Sequence, residues 1–186
     1  MDVTVCVATF GHRDWIDLAH GRAVPSAYAQ DVPVVYRHED TLVDARNAAV
    51  RAADTEFVIV LDADDELEAG YVRAMMAGTA DIRAPRLVEV HEDGTRCEVP
   101  LAHRDIEKLN PLPISSMARR DQILAAGGFA PWPAWEDWAL WLRMVRRGAT
   151  FEHLPAATLL AHVRDDSRNR TVTDPRRLMA EIKASA

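Results

Sequence analysis

The hydrophobic positions of this chain switch between the period of buried strands and the period of amphipathic helices. Residues 3–9 (VTVCVAT) form a β-branched run typical of a buried strand. Residues 13–22 have the helical period, and Pro25 is expected to end or kink that helix. Residues 33–37 predict a second strand, and residues 43–53 predict a helix with a narrow stripe of alanines. The first part of the chain therefore alternates strand and helix.

The next strand is apolar throughout and runs into a cluster of acids. Residues 57–61 (FVIVL) are apolar at every position, as expected when helices cover both faces of a sheet. Residues 65–68 (DELE) resemble a capping box, which predicts a helix that Gly78 ends. In this interpretation Asp65 caps the helix.

The second half has a different pattern. Residues 82–91 and 96–101 alternate on either side of an Asp-Gly turn, which predicts a hairpin. Residues 102–113 have no clear period and predict a loop, whereas residues 136–147 have a strong helical period. The remaining predicted elements are a strand at 114–118, a helix at 121–126, strands at 150–154 and 157–162, and a terminal helix from Pro175.

This order of elements predicts the fold class. Strand-helix alternation followed by a hairpin and a helix indicates one three-layer, Rossmann-like α/β domain, with a mostly parallel sheet and a mixed edge. Ligands of such sheets collect at the carboxyl ends of parallel strands. Three groups follow strands here and are expected to share one rim: Thr9-Phe10-Gly11, Asp40 with Arg46, and Asp62 to Asp65.

Composition narrows the classes of partner. The chain has 186 residues, with 22 basic and 29 acidic side chains and a net charge of −7, which disfavours a general attraction to nucleic acid or anionic membranes. It has no run of about 18 apolar residues and no basic leader before an apolar stretch, so we expect a soluble, cytoplasmic protein. Cys6 and Cys97 lack metal-binding spacing and are expected to be small buried thiols.

The acidic cluster in FVIVLDADDELEAG suggests a divalent cation. Residues two apart on an extended chain point the same way, so Asp62 and Asp64 can face a common point. Mg²⁺ and Mn²⁺ are commonly bound by one or two carboxylates together with phosphate oxygens. The alternative is that these acids only solvate the end of a strand and cap a helix.

Five segments in order resemble glycosyltransferase family 2, whose members have the GT-A fold and use nucleotide-sugar donors. They are ATFGHR, DARNAA, FVIVLDADDELEAGYV, AAGGFAPWPAWEDWALWLRMVRRG and HVRDDSRNR, spread from residue 3 to about residue 170. The resemblance implies that Asp62 and Asp64 bind the donor ribose and the metal-diphosphate. It also implies that Asp137, in the ED pair before the late helix, is the catalytic base. Inverting transfer needs such a carboxylate and a cation at the leaving diphosphate.

The resemblance assigns further residues to the donor and the metal. Thr9, Phe10 and Gly11 are expected against the nucleotide base. His162 is either a structural histidine or a ligand of the metal or diphosphate, and Arg164 is a candidate phosphate ligand. Arg46 either lies near the diphosphate or forms a surface salt bridge, and Glu136 either orients the base or contacts the acceptor.

One expected feature of the family is missing. A strand ending in paired aspartates normally precedes the ARN helix, and here only residues 21–44 occupy that interval, so a strand-helix unit is expected to be lost. Asp40 or Glu39 would then replace the aspartate that reads the base. We divide the domain into a nucleotide-sugar and metal half (1–78), an acceptor and catalytic half (79–165) and a tail or helix (166–186).

Other interpretations stay open at this point. A DxD phosphotransferase of the haloacid dehalogenase kind also has two aspartates after a buried strand, but Glu66 stands where that chemistry needs Thr or Val. A non-catalytic module that binds a nucleotide-sugar or a glycan is the third interpretation. Trp138 and Trp141 are expected in the core, whereas Trp132 and Trp135 suit packing or a platform for a sugar ring. The sequence selects neither the acceptor (glycan, protein, lipid or modified base), nor the oligomeric state, nor Mg²⁺ over Mn²⁺.

Overall fold

A mixed eight-stranded sheet forms the middle layer of the protein, in a computed structural model that describes residues 2–164 and 171–186. The strands are β1 (Val3–Phe10), β2 (Val34–Glu39), β3 (Phe57–Asp62), β4 (Asp65–Leu67), β5 (Ile82–Val90), β6 (Arg96–Val99), β7 (Met117–Arg119) and β8 (Phe151–His162). The helices are α1 (Asp14–Gly21), α2 (Ala23–Tyr28), α3 (Leu42–Ala52), α4 (Tyr71–Met75), α5 (Arg120–Ala125), α6 (Glu136–Arg146) and α7 (Pro175–Ser185).

The strand order is β2-β1-β3-β7-β5-β8-β4, with β6 added to β5. Strands β2, β1 and β3 are parallel, β7 runs antiparallel to both its neighbours, and β8 is again parallel to β5. One strand, β2, lies between the first two helices and α3, and it pairs with β1 at the edge. This arrangement agrees with the short interval seen in the sequence.

Two hydrophobic clusters lie on opposite faces of the sheet and explain why β3 is apolar throughout. Val58 and Val60 belong to the cluster that contains α3, α6 and α7 residues, whereas Phe57, Ile59 and Leu61 belong to the cluster that contains α1, α2 and α4 residues. Because consecutive side chains of a strand point to opposite faces, each face of β3 is covered by helices. The prediction of a three-layer α/β domain is confirmed.

The helix α3 is positioned by its cap and by its alanines. Thr41 Oγ1 accepts a hydrogen bond from the backbone N–H of Asp44 at 3.1 Å, which satisfies a donor in the first turn. Ala45 and Ala49 are fully buried, and Ala49 packs in the same hydrophobic cluster as Val58 and Val60 of β3. Small side chains let the helix lie close to the sheet, and this sets the depth of Arg46 on the same helix.

The predicted capping box at residues 65–68 is wrong. Residues Asp65–Leu67 form β4, which pairs antiparallel with Leu159 to Ala161 of β8. The helix α4 begins only at Tyr71, after Gly70 in a left-handed conformation with φ 79°. A partner strand more than 90 residues away decides the conformation, and no local pattern signals it.

Three smaller expectations are also corrected. The two strands predicted at 150–154 and 157–162 are one strand, β8, with Pro155 at a shift of register where no ladder hydrogen bond is needed. Pro25 lies in the first turn of α2, where proline is tolerated, and does not end a helix. Cys97 is exposed on β6, whereas Cys6 is buried as expected.

None of the helices formed by the described residues has the length and apolar character needed to cross a bilayer.

Candidate active site

A cleft of about 600 Å³ opens where β1 and β3 end, opposite the start of α6. Nine of the sequence-predicted site residues line it: Thr9, Phe10, Arg46, Asp62, Asp64, Glu136, Asp137, His162 and Arg164. Gly11 and Asp40 lie next to the cleft without lining it; the backbone N–H of Gly11 donates to the carbonyl of Glu39 at 3.0 Å, and Asp40 is exposed. The topology therefore brings together residues from both halves of the chain.

Arg46 lies in the wall of the cleft and binds two carboxylates. Its Nη2 donates to Asp62 Oδ2 at 2.7 Å and to Oδ1 at 2.8 Å, and its Nη1 donates to Glu136 Oε1 at 2.7 Å. Arg46 and Glu136 are each only 4% exposed, so this is a buried ion pair and not a surface salt bridge. Burial alone would lower the pKa of Arg46, but the charges of Asp62 and Glu136 outweigh it, and the net effect is a raised pKa. The guanidinium therefore stays charged.

Asp64 is a carboxylate of the cleft that Arg46 does not bind. Burial, and then the neighbouring Asp62 charge, raise the pKa of Asp64 to about 6, although Arg164 and Arg22 act in the other direction. Arg22 donates to the backbone carbonyl of Asp64 at 3.0 Å, not to its carboxylate. Among the described residues, no other side chain donates a hydrogen bond to this carboxylate, so it is available to a ligand in the cleft.

The donor set for a metal is smaller than the sequence suggested. Within residues 2–164 and 171–186, no three His, Cys, Asp or Glu side chains are grouped as a ready metal site. Arg46 holds both oxygens of Asp62, and His162 Nε2 lies 2.7 Å from Glu66 Oε1. Asp64 is left as one hard oxygen donor, which fits Mg²⁺ or Mn²⁺ when phosphate and water supply the other ligands.

Asp137 lies in the first turn of α6 and accepts two hydrogen bonds. The N–H of Trp138 donates to Oδ1 at 2.8 Å, and Asn110 Nδ2 donates to Oδ2 at 2.9 Å. Burial and then the neighbouring Glu136 charge raise the pKa of Asp137 to about 6, while Arg46 opposes the rise. A carboxylate with a pKa close to neutral can accept a proton and later release it.

The turn before α6 has a strained backbone. Trp135 adopts a left-handed conformation with φ 58°, although it is neither glycine nor asparagine. Asn47 on α3 holds the preceding segment, because its Nδ2 donates to the Phe129 carbonyl at 2.9 Å and its Oδ1 accepts from the Phe129 N–H at 2.9 Å. The helix α3 thus fixes where the loop before Asp137 lies.

No individual residue of the loop that carries Asn110 was assigned to the site from the sequence. It is attached to α6 by Trp138 Nε1, which donates to the Ile106 carbonyl at 2.8 Å, and Arg104 Nη1 donates to the Asn110 carbonyl at 3.1 Å. Arg104 and Asn110 both line the cleft. The absence of a hydrophobic period predicted the loop correctly but gave no sign of its contact with Asp137.

Aromatic rings lie at the other end of the cleft. Phe10 stacks on Trp15 with ring centroids 5.7 Å apart, and the Arg164 guanidinium lies 5.1 Å from the Trp15 centroid. Thr9 Oγ1 is 2.7 Å from the Tyr36 hydroxyl and 3.0 Å from His38 Nδ1. Trp15 belongs to α1. Of the motif HVRDDSRNR, residues 165–170 lie outside the described part of the chain.

The tryptophans near α6 divide as their spacing suggests. Trp138 and Trp141 are 2% and 1% exposed and belong to the core, which confirms the expectation. Trp135 lines the cleft, and Trp132 is partly buried against the core.

Comparison with known proteins supports the resemblance. Residues 22–94 match the model of Glycosyl transferase family 2. No curated protein sequence matches the chain. The match covers the DARNAA and FVIVLDADDELEAGYV segments, and together with the fold it confirms the resemblance to family 2.

Solved structures of TarS from S. aureus have the same fold. The complex of TarS 1–349 with UDP-GlcNAc is 16% identical, with a TM-score of 0.72 over 98% of this chain. The complex with UDP is also 16% identical, with a TM-score of 0.65 over 99% of this chain, and this chain covers 70% of it. The chain spans 64% of the length of TarS in the UDP-GlcNAc complex, and at this identity the likeness establishes the GT-A fold.

Proposed function

We propose that this chain is a glycosyltransferase that moves a sugar from a nucleoside-diphosphate sugar to an acceptor hydroxyl, with Asp137 as the general base. The observation that carries the proposal is that one cleft contains both an available carboxylate after β3, Asp64, and a carboxylate of raised pKa at the start of α6, Asp137. Asp64 suits donor binding and Asp137 suits proton transfer, and a transferase needs both groups in one cleft. The family match over residues 22–94 supports the donor side.

On the donor side, Asp64 is the residue that would hold Mg²⁺ or Mn²⁺. Such a cation, when bound, neutralises the charge that develops on the departing diphosphate. Asp62 keeps a fixed orientation because Arg46 binds both its oxygens, and its side chain is still 24% exposed to the cleft. Asp62 therefore suits a hydroxyl of the donor ribose better than a metal.

The nucleotide base is assigned to the aromatic end of the cleft. Phe10 and Trp15 line the cleft and offer aromatic surface against which a base can pack, and Arg164 beside them suits a phosphate. Gly11 and Asp40 follow β1 and β2 at the same rim and are the candidate contacts to the base edge. Since TarS was solved with UDP and UDP-GlcNAc, a uridine donor is the first to test.

On the acceptor side, Asp137 is a better base than Glu136. Glu136 is 4% exposed and accepts a hydrogen bond from Arg46, so a proton on its carboxylate would disrupt a buried ion pair. Asp137 is more accessible, and its pKa is already raised to about 6. It takes the proton of the attacking hydroxyl while the acceptor oxygen displaces the diphosphate in one step, and this single displacement inverts the configuration at the sugar carbon. Glu136 then fixes the start of α6 through Arg46.

The test measures release of nucleoside diphosphate from UDP-sugars with Mn²⁺, first with water as acceptor. Asp137→Asn should retain donor binding and lose release by about two to four orders of magnitude, the range for loss of a general base. The exposed Asp54→Asn is the control and should behave as the wild type. Release by Asp137→Asn at the wild-type rate would remove Asp137 from the mechanism. Donor binding with no release by the wild type would favour a binding module, and release of inorganic phosphate would favour a phosphotransferase.

A further inference from the structure

Asn110 contacts Asp137 from a loop that has no regular secondary structure. Its Nδ2 lies 2.9 Å from Asp137 Oδ2, while the N–H of Trp138 occupies Oδ1 at 2.8 Å. The two donors therefore bind different oxygens of the carboxylate and fix its plane. We propose that Asn110 is a positioning residue for the base, an inference that rests on the proposed role of Asp137.

The orientation of the Asn110 amide is determined by the loop itself. Its Oδ1 accepts the N–H of Leu112 at 3.0 Å, an Asx-type turn, so the NH₂ group has to face Asp137. Arg104 Nη1 donates to the Asn110 backbone carbonyl, and Trp138 Nε1 donates to the Ile106 carbonyl of the same loop. The loop is thus attached to the helix that carries the base.

The charged groups that surround Asp137 come from three elements. Glu136 of α6 and Asp62 of β3 raise its pKa together with burial, and Arg46 of α3 lowers it. The positive charge of Arg46 favours an ionised Asp137, but Arg46 is hydrogen-bonded to Glu136 and Asp62. Its charge is therefore shared among three carboxylates. A neutral N–H donor on Oδ2 stabilises the carboxylate without adding charge, and its loss should make protonation easier.

Two substitutions separate the hydrogen bond from the turn. Asn110→Asp keeps an oxygen for the Leu112 N–H and removes the donor to Asp137, whereas Asn110→Ala removes both without adding charge. Glu107→Gln is the matched control, because it removes the charge from the ion pair that joins the same loop to Arg146 (2.7 Å), at the other end of α6 from Asp137. The readout is a ¹³C NMR titration of the Asp137 carboxyl, assigned by its loss in Asp137→Asn.

We expect the pKa of Asp137 to rise by about one pH unit in Asn110→Ala and by at least as much in Asn110→Asp. Glu107→Gln should titrate as the wild type. An unchanged titration in Asn110→Ala, or an equal rise in Glu107→Gln, would overturn the proposal, because the effect would be absent or would come from the loop as a whole.

A second readout links the residue to the reaction. In nucleotide release from a UDP-sugar, Asn110→Ala should lower kcat roughly tenfold, because the carboxylate of Asp137 is no longer held in one orientation, with little change in the donor KM. A rise in KM with unchanged kcat would contradict a role at the base. The titration needs no turnover, so its result stands even if no donor is consumed, and failure of the proposed function is then distinguishable.

Discussion

Arg46 donates a hydrogen bond to Glu136 Oε1 at 2.7 Å, and the same guanidinium holds both oxygens of Asp62. One buried side chain therefore joins the end of β3 to the start of α6, the two elements that carry the donor and base carboxylates. Arg46 is 90 residues before Glu136 in the chain, so the pair joins two distant parts of the sequence.

Replacement of Arg46 should strongly reduce the free energy of unfolding. Arg46→Met leaves Asp62 and the buried Glu136 without their cation, and we expect a loss of about 3 to 5 kcal/mol in the free energy of unfolding. Adding Glu136→Gln to Arg46→Met should recover part of that loss, because one uncompensated charge is removed. Urea denaturation measures both.

The exposed pair of Arg177 and Glu181 provides the comparison for this prediction. Arg177→Gln should change the free energy of unfolding far less than Arg46→Met does, because water screens an exposed ion pair. A similarly small effect of Arg46→Met would mean that the buried ion pair does not hold the two halves of the cleft together.

Gly128 should be less tolerant than its neighbour Gly127. Both have positive φ, 71° and 86°, but a Cβ at Gly128 would overlap Asn47 Oδ1, whereas a Cβ at Gly127 meets nothing within 4 Å. Gly127→Ala is expected to cost about 1 to 2 kcal/mol from the left-handed backbone alone. Gly128→Ala should cost more and displace the Asn47 contact with Phe129. Equal melting temperatures for the two variants would contradict a stabilising contact between Asn47 and the Phe129 backbone.

The pKa of Asp137 predicts a pH-dependent effect of Asp137→Asn on stability. A folded-state pKa of about 6, above the ordinary value of 3.8, gives stability that is present at low pH and lost as pH rises through about 6. Asparagine does not ionise, so Asp137→Asn does not lose stability in this way as the pH rises. Relative to the wild type, the variant should gain about 1 kcal/mol between about pH 5 and about pH 7.5. A difference that is flat across this range would show that the pKa is not raised.

The same pKa predicts the pH dependence of the reaction. A base is active when it is deprotonated, so kcat for nucleotide release at saturating donor should rise about tenfold per pH unit below about pH 6 and level off above it. A steady-state profile with a UDP-sugar checks this. The control is the donor affinity over the same range, which separates loss of the base from loss of binding. A rate that falls as the pH rises through about 6 would instead indicate a general acid.

Local patterns were sufficient where local packing decides the structure. The continuous apolar run of β3 and the helical period of α6 predicted these elements, and the Asp-Gly turn predicted the β5 and β6 hairpin. The family motifs brought Asp62, Asp64, Asp137 and Arg46 into one expected site, and the cleft contains all four.

Distant partners decide the parts that the sequence did not predict. Residues 65–68 have a good capping pattern, yet pairing with β8 makes Asp65–Leu67 a strand. Asn110 lies in a loop without period, and its role depends on the position of α6. Cys97 follows the alternation of a buried face, but consecutive residues Arg96, Cys97 and Glu98 are all exposed, so no layer of the described chain covers either face of β6 there.

The most direct measurement is a thermal-shift titration with UDP, GDP, dTDP and CDP and their sugars, each with and without Mn²⁺. It compares the wild type with Asp64→Asn and with the exposed Asp54→Asn. We expect one base to raise the melting temperature only when Mn²⁺ is present, because binding to the native state stabilises it. The shift should disappear in Asp64→Asn and persist in Asp54→Asn. No stabilisation by any donor, or an undiminished shift in Asp64→Asn, would contradict the proposed donor site.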